Sequence, residues 1–307
     1  MPSEQSEALK TFYETVGSTL SSVPDVPLAL NRALLDCVHS VASEPEDVSY
    51  REVKAAGRDA IWCIPPDADR DRCILYLHGG GFVVQSVHSH RKLAGHLASA
   101  ANCRTLILDY RRAPEHTYPA QIEDAENAYL WLLGQGVQPS HIAFAGDSAG
   151  VCLAVSTAVR LRDKSNELPA AVVGFSPWFD LECSSTDLDV APRDALVQRQ
   201  LVEEMALTYL GGHVAATDPS ANPLHADLTG LPPVYLTAGG DEALLDNGVR
   251  FADRARAAGV DVVLEVEPGQ QHVYQFMAGR APEADRSITS AGSWISQRLA
   301  LSVSVQT

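Results

Sequence analysis

Six short apolar runs between residues 73 and 266 limit the fold more than any other feature of the sequence. They are Cys73 to His78, Thr105 to Asp109, His141 to Gly146, Ala171 to Ser176, Val234 to Ala238 and Val262 to Val266. Each is rich in Ile, Leu, Val or aromatic side chains, and several stop at Gly, Pro or Asp, as strands do. Helix-like stretches lie between them: Arg91 to Ala101, Ala120 to Leu133, Ala149 to Arg162 and Asn247 to Ala258. Strand–helix–strand alternation at this spacing predicts an α/β fold, a mainly parallel central sheet flanked by helices on both faces. Such sheets carry their functional loops at the carboxyl ends of the strands.

Two regions break the alternation. Residues 1–45 read as two amphipathic helices parted near Pro24-Asp25-Val26-Pro27, and residues 181–215 as a polar loop followed by a helix over Asp194 to Leu210. Long excursions of this kind in a compact domain are often functional. Both are candidates for a helical cap, or lid, over a body formed by residues 46–180 and 216–307, the whole being one structural unit.

The formal net charge of −16 repels phosphate backbones, so no nucleic-acid partner is expected. No run of about 18 apolar residues occurs, which argues against stable membrane insertion. The polar, acidic start from Met1 to Lys10 lacks the basic and apolar regions of a signal peptide, so a cytoplasmic location is expected. The six cysteines, Cys37, Cys63, Cys73, Cys103, Cys152 and Cys183, form no C-x-x-C pair and sit mostly in apolar contexts. They read as buried free thiols rather than disulfides or metal ligands. No metal site is expected.

Chemistry concentrates in a few places. Gly146-Asp147-Ser148-Ala149-Gly150 matches G-x-S-x-G, with an expected strand before it and an expected helix after it. In that setting the serine sits on a tight turn that presents its hydroxyl at the top of the sheet. Upstream, His78-Gly79-Gly80-Gly81-Phe82 follows another expected strand. Consecutive glycines let backbone N–H groups approach a reacting carbonyl, where they can hold the oxyanion of acyl transfer. No G-K-[ST] follows, which weakens a phosphate-cradle reading.

A serine nucleophile needs a histidine base and an acid to orient it, in the chain order Ser, acid, His. Three histidines follow Ser148: His213, His225 and His272. Only His272 lies in a loop just past a late strand. Among Asp241, Glu242 and Asp246, which cluster after Val234 to Ala238, Asp241 is the first choice for the acid. Phe82, Trp178 and Phe179 follow turns near strand ends and are candidates for an apolar substrate pocket, with core packing as the alternative.

Together these residues resemble the hormonesensitive-lipase-like family of α/β-hydrolases, especially its bacterial esterases. The resemblance runs from about residue 70 to the end and also takes in Asp109-Tyr110-Arg111-Arg112-Ala113-Pro114-Glu115 and Gly230-Leu231-Pro232-Pro233. It implies a Ser148–Asp241–His272 triad, an oxyanion hole from the amides of Gly80, Gly81 and Ala149, and a cap combining the two irregular regions. It further implies a carboxylesterase that acts on small to medium, mostly apolar esters through an acyl-enzyme, with no cofactor. Dimers are common among such relatives, so a homodimer is left open. Val151 and Arg112 depart from the usual Gly and Leu, which touches pocket shape rather than mechanism. Lactone hydrolysis would use the same residues. A non-catalytic receptor is the reading from another class; the plant gibberellin receptors, which resemble the family, have lost the triad histidine, whereas His272 is in place here.

Overall fold

The computed structural model describes residues 2–22, 26–190 and 194–299; part of the expected break between the N-terminal helices, at Pro24 and Asp25, and part of the 181–215 region lie outside them. In chain order the elements are α1 (Glu4–Ser22), α2 (Leu28–Asp36), β1 (Ser49–Ala55), β2 (Arg58–Ile64), β3 (Asp69–Leu77), α3 (Val87–Ala101), β4 (Cys103–Leu108) and α4 (Ala120–Gly134). There follow β5 (Ile142–Asp147), α5 (Ala149–Asp163), β6 (Ala171–Phe175), α6 (Asp187–Val190), α7 (Arg199–Leu210), β7 (Val234–Gly239), α8 (Leu245–Ala257), β8 (Val262–Glu267) and α9 (Pro282–Arg298). One sheet runs β1-β2-β4-β3-β5-β6-β7-β8. Its strands from β4 to β8 are parallel, while β2 is antiparallel to both its neighbours. This is the mainly parallel, helix-flanked sheet that the alternation predicts, in the arrangement implied by the resemblance to α/β-hydrolases.

Each strand sorts its side chains to opposite faces with period two. On β3, Ile74 and Tyr76 join Leu93 and Leu97 of α3 and Ile288 and Ile295 of α9 in one core. Cys73, Leu75 and Leu77 turn the other way, to Ile122 and Ala125 of α4, Leu153 of α5 and Phe251 of α8. The next strand outwards on each side does the same: Ile107 and Ala143 face α3 and α9, while Leu106 and Phe144 face α4 and α5. Two buried faces explain why these strands read as unbroken apolar runs.

The β1–β2 hairpin and helix α9 were not among the expected elements. Arg51, Glu52 and Lys54 on β1 are polar or exposed, as suits an edge strand, and leave little apolar signal. The hairpin closes through Ala56 (φ 49°) and Gly57 (φ 84°), a left-handed pair that matches the sheet twist. The expected helix at 194–210 begins later, at Arg199, because Asp194 accepts the N–H groups of Leu196 and Val197 at 2.9 and 2.8 Å and holds a separate turn. All six cysteines are free; Cys37 is exposed and the other five are buried.

Candidate active site

The turn from β5 to α5 sets Ser148 at φ 51° and ψ −122°, a conformation that costs an L-residue about 1–3 kcal/mol and survives only where its surroundings enforce it. They do so through backbone contacts. Ser148 donates its N–H to Phe175 O at 2.9 Å, and its carbonyl accepts from Val151 and Trp178. A Cβ on Gly150 would stand 1.9 Å from Leu77 O, and one on Gly146 would stand 2.7 Å from the same atom. Both glycines of the motif are therefore demanded by strand and helix pressing together. Val151 fills the space over Gly174 of β6, where a Cβ would meet it at 2.4 Å.

The loop after β3 is fixed from below by Asp147. Its carboxylate accepts from Tyr76 Oη at 2.8 Å and from the Gly79 N–H at 3.2 Å, and lies 3.1 Å from His90 Nε2. Burial alone would raise this carboxyl, but His90 and the Tyr76 hydroxyl outweigh it and hold it below the usual carboxylate range. Burial, with His90 nearby, pushes His78 down to about 3; its ring stacks on Tyr110 with centroids 4.2 Å apart. Gly80 (φ 96°) and Gly81 (φ 60°) then turn the chain back. The Gly80 carbonyl accepts from Val83 and Val84, whereas the N–H groups of Gly80 and Gly81 have no partner among the described residues. Ala149 is buried and opens α5, so its N–H is one of those a helix start leaves unpaired.

His272 stands in the loop beyond β8, 4 % exposed. The carboxylate beside it is that of Glu242, with Oε2 3.6 Å from Nδ1. This corrects the sequence expectation, which preferred Asp241. Gly239 and Gly240 press the turn after β7 onto the loop at 267–271; a Cβ on Gly239 would lie 2.3 Å from Gln270 O. Within so tight a turn, Asp241 donates its N–H to Gln270 O and stays partly exposed. Glu242 is 3 % exposed and reaches back far enough for Oε2 to accept also from the Gly239 N–H at 3.2 Å. Asp246 pairs with Arg250 at 3.2 Å on α8. A contact of 3.6 Å exceeds a good hydrogen bond, and catalytic contacts are often long before substrate binds. Burial pulls His272 down, but Glu242, with the charges of Asp194 and Asp147, overcomes it and holds the imidazole above the ordinary histidine range.

Ser148, His272, Gly80 and Gly81 line one cavity of about 200 Å³. Its other walls come from Tyr13, Asn31 and Leu35 on the N-terminal helices and from Leu196, Leu201, Val202 and Met205 on the 194–210 segment. Of the three aromatic candidates, Trp178 lines it. Phe82 does not: it is buried, stacked on Tyr209 at 3.7 Å. Phe179 is likewise buried, stacked on Phe251 at 4.4 Å. Both belong to the core, because the chain after each turn folds inwards. Arg112 donates to Gln85 O and so braces a loop at the cavity edge. Sequence reasoning missed Asp147 and His90 as supports of the glycine loop. The only signal was the acidic residue inside G-x-S-x-G; the partner at position 90 is set by the fold.

Among the described residues, no helix is long and apolar enough to cross a membrane, and no three His, Cys, Asp or Glu side chains gather as metal ligands. A family model described as α/β hydrolase fold matches residues 74–276. An acetyl-hydrolase of Streptomyces hygroscopicus is 41% identical over 240 residues, covering 77% of this chain and 79% of that protein. An esterase of Acinetobacter venetianus is 32% identical over 274 residues, covering 88% and 90%. The crystal structure of an esterase from the bacterial hormone-sensitive lipase family superposes with a TM-score of 0.93 at 38% identity, covering 97% of this chain and 99% of that one. The chain belongs to the bacterial hormone-sensitive-lipase family of α/β-hydrolase esterases.

Proposed function

We propose that Ser148, His272 and Glu242 form the catalytic triad of this esterase, with the N–H groups of Gly80, Gly81 and Ala149 as its oxyanion hole. The observation that carries this reading is the meeting of Ser148, His272, Gly80 and Gly81 in one cavity, with a buried carboxylate behind the histidine. His272 takes the proton of the Ser148 hydroxyl as Oγ attacks the ester carbonyl. The tetrahedral oxyanion is held by the three N–H groups, each worth about 3 kcal/mol of barrier. His272 then protonates the departing alcohol, leaving an acyl-serine. Water, deprotonated by His272, attacks that acyl group; the acid leaves and Ser148 recovers its proton. The aliphatic walls favour small to medium, mostly apolar esters, and the name acetyl-hydrolase of one relative supports a short acyl group.

The helices at 1–45 and the segment 181–215 act as the cap in this reading, since the described parts of both wall the cavity. Lactone hydrolysis would use the same residues and is not favoured, as the relatives are named for ester and acetyl hydrolysis. The free cysteines fit a reducing, cytoplasmic setting. A homodimer is tested by sedimentation of the purified chain, where a single monomer species at micromolar concentration would exclude it.

A fluorophosphonate probe should modify the wild-type chain at Ser148 and leave Ser148→Ala unlabelled. That variant should lose ester turnover by at least about 10⁴-fold. Absence of labelling in the wild type would overturn the mechanism.

A further inference from the structure

Two polar side chains from outside the α/β body reach the backbone of the loops that hold the acid and the base. Tyr13 of α1 donates its hydroxyl to the carbonyl of His272 itself, at 2.9 Å. Asp194, in the turn ahead of α7, accepts with Oδ2 from the N–H of Ala243 at 2.8 Å, the residue after Glu242. Both are buried, Tyr13 at 2 % and Asp194 at 7 % exposure. Two neighbouring bonds repeat the pattern. Ser6 Oγ donates to the Gln270 side chain, and the Ala195 N–H donates to Gln271 Oε1 at 2.8 Å. The base loop is therefore tied to the covering segments at three consecutive residues, and the acid turn at one.

We propose that Tyr13 and Asp194 are positioning residues for ester hydrolysis, through which the two covering segments hold His272 and Glu242 in register. The proposal rests on the reading of those two residues as base and acid. The loop at His272 needs such support. Val273 adopts φ 48°, a left-handed conformation that a β-branched residue takes only when held. The body holds Val273 through its N–H, which donates to Ser176 Oγ at 2.9 Å, and its carbonyl, which accepts from the Phe276 N–H at 3.0 Å; the Tyr13 hydroxyl adds a restraint one residue earlier, at the His272 carbonyl. The groups that act on His272 come from four elements: Glu242 after β7, Asp147 at the end of β5, Asp194 ahead of α7, and Tyr13 on α1. Only the last two are borne by the covering segments. They act differently, because Asp194 brings a charge as well as a hydrogen bond and Tyr13 is neutral.

The test uses full-length Tyr13→Phe and Asp194→Asn, with sites counted by fluorophosphonate titration and kcat and KM measured separately on a p-nitrophenyl ester. Each variant should lose about tenfold or more in kcat per titrated site, the scale expected when a catalytic group drifts by a fraction of an ångström. KM should stay within about twofold. Asp194→Asn should also move the acid limb of the pH profile to lower pH, since it removes a charge that favours the imidazolium, whereas Tyr13→Phe should leave the limb in place. A kcat per site within about twofold of wild type in both variants overturns the proposal. So does a raised KM at unchanged kcat, which would mark substrate contact instead. Should Asp194→Asn fail to fold, Tyr13→Phe, which removes a single oxygen, decides alone. A wild type that does not label at Ser148 brings down the esterase mechanism itself; a labelled wild type with unaffected variants brings down this inference only.

Discussion

Around Ser148 the strand-end loops are held backbone against backbone: Gly150 on Leu77, Gly146 on the same carbonyl, Gly239 on Gln270. The helical segments that cover the cavity meet it instead through aliphatic side chains, Leu35, Leu201, Val202 and Met205 among them. A backbone contact tolerates almost no change, because the clashing atoms cannot rotate away. A wall of Leu, Val and Met repacks at moderate cost. In the proposed mechanism, chemistry is vested in the rigid floor and selectivity in the adaptable roof, with Tyr13 and Asp194 among the polar links between them.

The sharpest way to break this contrast is at the acid. Glu242→Gln should lower kcat by roughly 10³- to 10⁴-fold, as when the orienting acid of a triad loses its charge, while Asp241→Asn should cost less than about tenfold. Purified variants assayed at saturating ester decide it, and a larger loss in Asp241→Asn would reverse the assignment. Next in size is pH. His272 must be neutral to accept a proton, and it is held above the ordinary value of about 6.5. Below its raised value the rate constant kcat/KM should therefore fall about tenfold per pH unit, with the limb lying above pH 6.5. A limb centred below that value would contradict the electrostatics described. The smallest effect belongs to the roof. Met205 Sδ packs on Gly81, 2.1 Å from where a Cβ would be. Met205→Ala should raise kcat/KM for p-nitrophenyl octanoate relative to butyrate by roughly three- to tenfold. An unchanged ratio would remove Met205 from the determinants of chain length.

Much of the floor is legible in the sequence. The parallel strands of the sheet lie on the apolar runs because burial on both faces makes them continuous. Gly80, Gly81, Ser148 and His272 could be placed because glycine spacing and chain order are local or topological facts. The sequence favours Asp241 over Glu242, whereas it is Glu242 that lies beside His272; the two are adjacent carboxylates whose difference is the side of a turn each faces. The aromatic residues misled for a related reason. Phe82, Trp178 and Phe179 each follow a turn, yet only Trp178 is directed into the cavity. Edge strand β1 escaped because its exposed polar side chains give no apolar period. Asp194 and Tyr13 carried no motif at all; their partners are backbone atoms far along the chain.

The distribution of cysteines has a practical consequence for watching the roof at work. Burial pushes the thiols of Cys73, Cys152 and Cys183 up to about 12 and raises those of Cys63 and Cys103 as well. At neutral pH none of the five offers an appreciable thiolate to an alkylating dye. Cys37, exposed and directly after α2, stands apart from them. The unmodified sequence therefore already carries a single addressable position at the C-terminal cap of a helix whose Asn31 and Leu35 wall the cavity, so a fluorophore could be attached there without first removing competing thiols.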